Sequence, residues 1–198
     1  MQNLKKEIIE FWFGPDFEKH PLQNAKKWFE KSASFDALVS DKFKDQVEHT
    51  LIGDFDEWKQ TAPGSMAMIL LTDQFSRNIF RGTKESFAYD SIGLATAKEG
   101  IARGFDKELT WIERTFFYLP FEHAEDLALQ EKSILLFQGL MKDVPKEYIY
   151  HADEALDYAV KHWEIIKLFG RFPHRNAILN RISTEEELEF LKQPGSSF

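Results

Sequence analysis

The pattern that decides the fold lies in residues 63–82, which read PGSMAMILLTDQFSRNIFRG. The Pro-Gly pair at the start is typical of a helix beginning, and Met66, Ile69 and Leu70 recur at the spacing of one helical face. The Arg-Gly pair at the end can stop a helix, because glycine accepts the left-handed conformation. The stretch therefore predicts a buried helix that ends near Phe80.

The same period of about 3.6 residues continues in both directions along the chain, and no strictly alternating run bounded by turns appears. Glycine and proline separate the periodic segments, because they favour helix ends. We predict helices over about residues 4–13, 23–31, 36–53, 63–80, 90–104, 110–120, 122–142, 145–169, 174–181 and 183–194.

Capping residues mark several of the predicted helix ends. Asp36 and Asp90 are expected to cap the helices that follow them. The tetrapeptides 110–113 and 183–186 have the Ser/Thr-x-x-Glu pattern of a capping box. Pro120 is expected to interrupt its helix, because proline removes a backbone donor.

The connections between the predicted helices are short, so successive helices should pack as antiparallel neighbours. We therefore predict an all-α fold, an array of antiparallel helical hairpins in a single domain over residues 1–198. The side-chain spacing of tetratricopeptide repeats does not recur at a period of about 34 residues. Any tetratricopeptide-like repeat in the chain is therefore degenerate.

The balance of charge restricts the class of partner. The chain has 25 Lys and Arg residues against 33 Asp and Glu residues, a formal net charge of −8, which opposes binding to phosphate backbones or anionic lipid. Without cysteine, disulfides and thiolate metal sites are excluded. The longest uncharged stretch, residues 61–72, falls well short of the roughly 20 residues that span a bilayer. We expect a cytoplasmic protein that binds neither membranes nor nucleic acid.

Two charged residues occupy positions where the helix over 63–80 should be apolar. At 100° per residue, Asp73 and Arg77 each fall about 20° from Met66. Because they are four residues apart they can pair, and Arg81 extends the same row. An interhelical salt bridge explains this pattern, and so does a ligand clamp, because a guanidinium binds carboxylate or phosphate at two points.

A second polar cluster, residues 120–131, contains Glu122, His123 and Asp126 near a predicted helix start. The helix dipole favours carboxylates there, so capping and pairing explain the cluster, and metal ligation is the alternative. Because no HExxH or paired Glu-x-x-His motif is present, we expect no metal site and no cofactor. The histidines to which we assign no role are His20, His49, His151 and His162.

A third polar cluster, residues 169–176, is a loop that contains glycine and proline. Its polar residues are Arg171, His174, Arg175 and Asn176. No acidic residue occurs over 165–184, so this segment is a basic island in an acidic chain. Its cations could bind an anionic ligand, or they could neutralise the acids of residues 120–131.

The three polar clusters and two further segments resemble the bacterial domain-of-unknown-function family 924. The matching segments are FWFG at 11–14, DQFSRNIFRG at 73–82, YLPFEHAED at 118–126, FGRFPHRN at 169–176 and PGSSF at 194–198. Ser76 stands where the family is expected to prefer proline. The resemblance implies a bacterial protein with a tetratricopeptide-type helical array, and it implies no particular reaction, because the family carries no established activity.

Two functions are open at this point. The first is a binding module with a pocket for a small anionic metabolite or peptide end. The residues expected to line that pocket are Asp73, Arg77, Asn78, Arg81, Arg171, Arg175 and Asn176. The second is an enzyme acting on a small anionic substrate, with His174 or His123 as general acid/base and Glu122 as a further catalytic candidate. The sequence leaves the oligomeric state open.

We also expect the charged segments to meet in one place. Arg77 and Arg175 should approach one another and, with His174, Asp73 and Glu122, form one polar site inside the helical array. Buried charges must find partners, and burying three charged segments separately would be costly.

Overall fold

The computed structural model describes residues 2–196, with all side chains except those of Gln2 and Phe29. Within this range the chain forms helices joined by turns, and no strand occurs. The predicted all-α class is therefore confirmed, whereas the tetratricopeptide-like arrangement stays a prediction. Ser197 and Phe198, which end the last family-like segment, lie outside the described residues.

The helices follow one another along the chain with short connections. The α-helices are α1 (Gln2–Phe13), α2 (Ala25–Phe29), α3 (Ala33–Thr50), α4 (Ala62–Ile69), α5 (Ser76–Ile79), α6 (Asp90–Ala102), α7 (Trp111–Glu122), α8 (Leu127–Leu140), α9 (Ile149–Phe169) and α10 (Glu185–Phe190). A π-helical segment, Leu70–Phe75, joins α4 to α5. Turns of 3-10 helix cover Asp56–Gln60, Lys84–Phe87, Phe105–Glu108, Lys146–Tyr148 and Pro173–Arg175.

The chain divides into two compact units. Among the described residues, unit 1 comprises 2–81 and Glu85–Pro120, and unit 2 comprises Gly82–Lys84 and 121–196. Unit 1 therefore holds α1 to α6 and most of α7, and unit 2 holds α8 to α10. The single domain expected over residues 1–198 stays a prediction.

The aromatic residues near the N-terminus form the core of unit 1. Trp12 and Phe13 of α1 are buried, and both rings meet Phe116 edge-on, with centroids 5.6 and 5.3 Å apart. Phe75 lies 5.5 Å from Trp12 and 4.9 Å from Phe43. Such pairs add about 0.5–1.5 kcal/mol each beyond the area that they bury. The FWFG segment is thus structural.

The helix predicted over 63–80 is present, but its middle, Leu70–Phe75, is π-helical. All residues over 64–76 are buried. The Thr72 hydroxyl donates to the Met68 carbonyl at 2.8 Å and so gives this irregular stretch a further backbone contact. The segment therefore carries polar side chains inside unit 1.

Two of the predicted caps are wrong. Ser32, not Asp36, caps α3, and its Oγ accepts from the Phe35 N–H at 3.3 Å. Asp90 is the first residue of α6, and Tyr89 occupies the cap position. Asp36 binds Arg81 and Asp90 binds Arg77 instead.

Both predicted capping boxes exist, one of them displaced. The Glu113 carboxylate accepts from the Thr110 N–H at 2.9 Å, as predicted. At the start of α10, the box is formed by Thr184 and Glu187, one residue later than the 183–186 pattern indicated. The shift places Glu187 inside unit 2, where it is 2% exposed.

Pro120 does not interrupt α7, which continues to Glu122. A proline in a helix interior destabilises the helix by about 3 kcal/mol. Burial of each aromatic side chain of α7 stabilises the fold by about 1.5–3 kcal/mol, which offsets this cost. The helix predicted over 122–142 consequently begins later, at Leu127, with Asp126 as its cap.

The segment after α9 is less helical than predicted. Gly170 ends α9 with a φ of 69°, as expected. The helix predicted over 174–181 is a 3-10 turn, Pro173–Arg175, followed by turns. Asn180 has a φ of 53°, which is incompatible with a continuing helix.

No helix within residues 2–196 is both long enough and apolar enough to cross a membrane.

The start of α4 provides a test of the packing in unit 1. A Cβ added at Gly64 would lie 2.1 Å from the Trp58 carbonyl oxygen, which is backbone and cannot move away cheaply. We expect Gly64→Ala to lower the free energy of unfolding by about 1–3 kcal/mol in urea denaturation.

The matched control is Gly139→Ala in α8, where an added Cβ meets no heavy atom within 4 Å. Because alanine is the better helix former, this change should raise stability by up to about 1 kcal/mol. Equal effects of the two substitutions would contradict the described contact.

Candidate functional site

The pair predicted on the central helix of unit 1 forms inside the core. Asp73 is 1% exposed, and its Oδ1 lies 3.3 Å from Arg77 Nη1. Arg77 also makes a two-point contact with Asp90, at 2.9 and 3.2 Å. Burial by itself would lower the pKa of Arg77, but the two carboxylates raise it. The guanidinium therefore remains charged between two acids.

A third acid of unit 1, Asp36, binds residues at the end of the same helix. The Asp36 carboxylate accepts from Arg81 Nε at 2.6 Å and from Arg81 Nη2 at 2.8 Å. Asn78 Nδ2 donates to the same carboxylate at 2.7 Å. Asp36 thus ties α3 to the end of α5. Interhelical pairing, the structural alternative of the sequence analysis, describes these contacts.

The basic segment of unit 2 uses one of its arginines in the same way. Arg171 binds Glu187 at two points, with distances of 2.7 and 2.8 Å, and Asn176 Nδ2 donates to the same carboxylate at 3.1 Å. The hydrogen bonds from Arg171 lower the pKa of Glu187 to about 2, against the opposing effect of burial. Glu187 is therefore ionised at neutral pH.

Another ion pair of unit 2 fixes the backbone at Phe172. Arg181 binds Glu125 at two points, at 2.5 and 2.9 Å, and donates to the Phe172 carbonyl at 3.1 Å. The Phe172 N–H donates to Glu125 at 2.7 Å. Burial raises the pKa of Glu125, but these hydrogen bonds outweigh it and hold the pKa below its usual range.

Polar side chains surround the buried ring of Phe172. The Arg175 guanidinium carbon lies 4.4 Å from the ring centroid, and the rings of His162 and His174 lie 5.5 and 5.6 Å away. The His123 ring is 6.2 Å from that of His162. We call this group the Phe172 cluster and define it by Phe172, Glu122, His123, His162, His174 and Arg175.

The innermost contact of the Phe172 cluster joins His162 to Glu122. His162 Nδ1 lies 3.2 Å from Glu122 Oε1, and the two residues are 4% and 3% exposed. Nδ1 also lies 2.8 Å from the Tyr158 carbonyl, which can only accept, so this nitrogen carries the proton. Burial, together with the smaller effect of His123, lowers the pKa of His162 to about 3. The ring is therefore neutral at physiological pH.

Four of the predicted site residues meet in the Phe172 cluster: Glu122, His123, His174 and Arg175. Arg171 and Asn176 belong to the same unit but bind Glu187. The predicted residues of unit 1 are Asp73, Arg77, Asn78 and Arg81. Because Arg77 and Arg175 belong to different units, the single site that would contain both stays a prediction.

His162 is the residue that the sequence analysis missed. We assigned it no role, although a signal was available: it falls on the face of α9 that also carries Ala159, Ile165 and Ile166, all buried. A histidine on an apolar face needs a partner inside the fold. With Glu122 and His123 it also forms a group whose ligand atoms lie within 4.8 Å of one another, a distance compatible with a metal ion.

Cavity size alone does not locate the predicted residues. A cavity of about 910 Å³ in unit 1 is lined by Lys5, Glu10 and Phe17 among others, and by none of the predicted residues. A smaller one of about 530 Å³ in unit 2 is lined in part by Arg171 and Glu187. Arg171 is already bound to Glu187 there.

Known proteins share this fold without a described activity. A family described as "Bacterial protein of unknown function (DUF924)" matches residues 8–195. The solved structure of the protein of unknown function ATU0120 from Agrobacterium tumefaciens is similar, with 39% sequence identity and a TM-score of 0.78. The similarity covers 96% of this chain and 98% of that chain. No curated protein matches the sequence.

The buried pair of unit 1 makes a prediction about stability. Arg77→Met would leave the Asp73 carboxylate, which is 1% exposed, without its arginine. We expect a loss of about 3 kcal/mol in the free energy of unfolding. Adding Asp73→Leu should recover most of this loss, because the stranded charge is then removed.

The control is Lys161→Met, which breaks a pair with Asp157 whose side chains are 51% and 60% exposed. A surface pair of this kind contributes at most about 1 kcal/mol. Urea denaturation of the variants gives the comparison. The account fails if Arg77→Met costs no more than Lys161→Met.

The low pKa of Glu187 predicts that the free energy of unfolding depends on pH. Its pKa falls from an ordinary 4.5 to about 2 in the fold, so its contribution is present above pH 4.5 and is lost as the pH falls towards 2. The stability difference between the wild type and Glu187→Gln should therefore shrink over that interval in urea titrations.

Glu147→Gln, a change at an exposed glutamate of the same unit, is the control for this pH series. Its stability should follow the wild type at each pH. A difference between wild type and Glu187→Gln that stays constant from pH 6 to pH 2 would refute the proposed ionisation.

Proposed function

The chain belongs to the bacterial family of unknown function DUF924, and we propose that it is a binding protein whose Phe172 cluster accepts a small anionic metabolite or the carboxylate end of a peptide. The observation that carries this proposal is the placement of Arg175. Its guanidinium lies 4.4 Å from the Phe172 ring, next to His174 on the same turn. A planar guanidinium held against a ring binds carboxylate or phosphate at two points.

The electrostatics of His174 support an anionic ligand. Burial, together with the smaller effect of the Arg175 charge, lowers the pKa of His174 to about 4. At neutral pH the imidazole is therefore uncharged, and it can donate a hydrogen bond from one ring nitrogen. An anion next to Arg175 would stabilise the protonated ring, so binding should raise the pKa of His174.

For the other predicted residues a role in ligand binding stays a prediction. Each is held by carboxylates of its own unit: Arg77 by Asp73 and Asp90, Arg81 and Asn78 by Asp36, and Arg171 and Asn176 by Glu187. A ligand at these arginines would have to displace an existing two-point contact.

The second candidate function is an enzyme acting on a small anionic substrate. It is favoured by the contact between His162 Nδ1 and Glu122 Oε1, because a carboxylate that orients a histidine is typical of acid–base sites. His123 and His174 are partly exposed and could meet a substrate. A pKa of about 4 at His174 lies below the range of a general base at neutral pH, which favours binding over catalysis.

The proposal also includes the cellular location of the protein and the class of its partner. A net charge of −8 and the absence of cysteine support a cytoplasmic protein whose partner is a small ligand rather than nucleic acid. The tetratricopeptide-type array that the family resemblance implies belongs to the same proposal, because helical arrays commonly bind peptides and small ligands.

Inorganic phosphate is the probe that tests the proposed function. In the presence of a chelator, phosphate should cause saturable shifts of the His174 ring signals in NMR, and the pKa of His174 should rise from about 4. Arg175→Gln should weaken binding by about 10- to 100-fold, because a hydrogen bond to a charged group is worth about 1.5–3 kcal/mol.

The matched control is Lys167→Gln, which removes the same charge from an exposed position of unit 2. Its affinity for phosphate should equal that of the wild type. If Arg175→Gln does not fold, His174→Gln is the second test: calorimetric titration with phosphate then replaces the NMR signals that this variant lacks, and it should show weaker binding than the wild type. The proposal is wrong if phosphate at about 10 mM leaves the His174 signals unchanged, or if Lys167→Gln weakens binding as strongly as Arg175→Gln.

A further inference from the structure

We infer that Glu122, His123 and His162 form a binding site for a divalent transition-metal ion of the Zn²⁺ class. Each residue offers one ligand atom, and the three atoms lie within 4.8 Å of one another. This inference rests on their geometry and does not require the proposed function. It departs from our expectation, drawn from the absence of a sequence motif, that the chain holds no metal.

The ligand atoms of Glu122, His123 and His162 are close enough to reach one ion after small side-chain movements. Zinc binds His nitrogen and carboxylate oxygen at about 2.0–2.2 Å, so two of its ligands are about 3.4 Å apart in a tetrahedron. The 3.2 Å contact between Glu122 Oε1 and His162 Nδ1 places the carboxylate beside the imidazole ring. Because the ligand atoms lie within 4.8 Å of one another, shifts of about 1 Å would bring them to one ion.

The backbone of unit 2 holds the ligands from two directions. Glu122 is the last residue of α7 and His123 follows it, whereas His162 belongs to α9. The Tyr158 carbonyl accepts from His162 Nδ1, so the lone pair of the neutral ring lies on Nε2, the nitrogen that would bind the ion. Such a backbone hydrogen bond is the usual way in which proteins orient a metal-binding histidine.

The ligand types indicate the class of ion. Two imidazoles and one carboxylate suit Zn²⁺, Co²⁺ and related ions, whereas hard cations such as Mg²⁺ prefer oxygen alone. Three protein ligands leave at least one coordination position for water or an anion, as in catalytic zinc sites. His123 is partly exposed, so an ion can reach the group from solvent.

Because of the charge of Arg175, metal binding can be tested separately from the proposed anion binding. Arg175 lies in the same cluster and acts electrostatically on His162. A guanidinium there opposes a divalent cation and favours an anion. Arg175→Gln should therefore tighten Zn²⁺ binding by roughly tenfold, while the same variant weakens phosphate binding. The two ideas thus predict opposite effects of one substitution.

The experiment is a calorimetric titration of the whole chain with ZnCl₂, after dialysis against chelator and in a phosphate-free buffer. The wild type should bind one ion with a Kd below about 10 μM. His162→Gln and Glu122→Gln should each weaken binding by at least about 100-fold, because loss of a ligand exceeds the 10- to 100-fold effect of losing an outer partner.

His123→Gln keeps the experiment informative if the buried variants do not fold, because His123 is partly exposed. It should weaken binding as strongly as they do, and Co²⁺ in the wild type should show the visible absorption of a tetrahedral site, lost in His123→Gln. The control is His151→Gln, at an exposed histidine paired with Glu154, which should bind as the wild type does.

Two results would overturn the inference. One is a wild-type Kd for Zn²⁺ weaker than about 1 mM. The other is unchanged affinity in His123→Gln together with a loss of affinity in His151→Gln, because the ion would then be bound by the exposed side chain of His151. A phosphate affinity that survives in either case would leave the proposed function standing on its own.

Discussion

The constraint on which the rest of the structure depends is that a carboxylate removed from water must be met by a donor. In both units, acids that are buried or half-buried meet a cation, an amide or an imidazole, within one helix or between separate segments of the chain. The pairs are Asp73 with Arg77, Asp36 with Arg81 and Asn78, Glu187 with Arg171 and Asn176, Glu125 with Arg181, and Glu122 with His162. Breaking such a pair is more costly than its net contribution to stability, because the remaining charge stays buried.

Local chemistry predicted most of the helices, and tertiary contacts decided the exceptions. Gly170 ends α9 through its positive φ, and Thr110 begins α7 through a capping box, both of which are visible in a few residues of sequence. Asp36 was expected to cap α3, but its carboxylate instead accepts a hydrogen bond from Arg81, which lies far along the chain. Pro120 was expected to break α7, but buried aromatic residues hold the helix. Neither partner could be read from the neighbouring sequence.

The candidate site was predictable to the extent that its residues are neighbours in sequence. The spacing of Asp73 and Arg77 on one helix predicted their pair, and the segments around Glu122 and Arg175 were recognised as polar. The contact of Glu122 with His162 joins two helices, so no local pattern contains it. A buried histidine on an apolar helical face predicts that a partner exists, but only the fold shows which one.

The neutral, buried His162 is the central element of the Phe172 cluster, because it joins Glu122, the Tyr158 carbonyl and the Phe172 ring. An NMR pH titration of its ring signals, in metal-free and phosphate-free protein, tests this most directly. The account predicts that the ring stays uncharged as the pH falls to about 4, with a pKa of about 3. A midpoint near 6.5, the ordinary value for histidine, would contradict the account, because the ring would then be open to water.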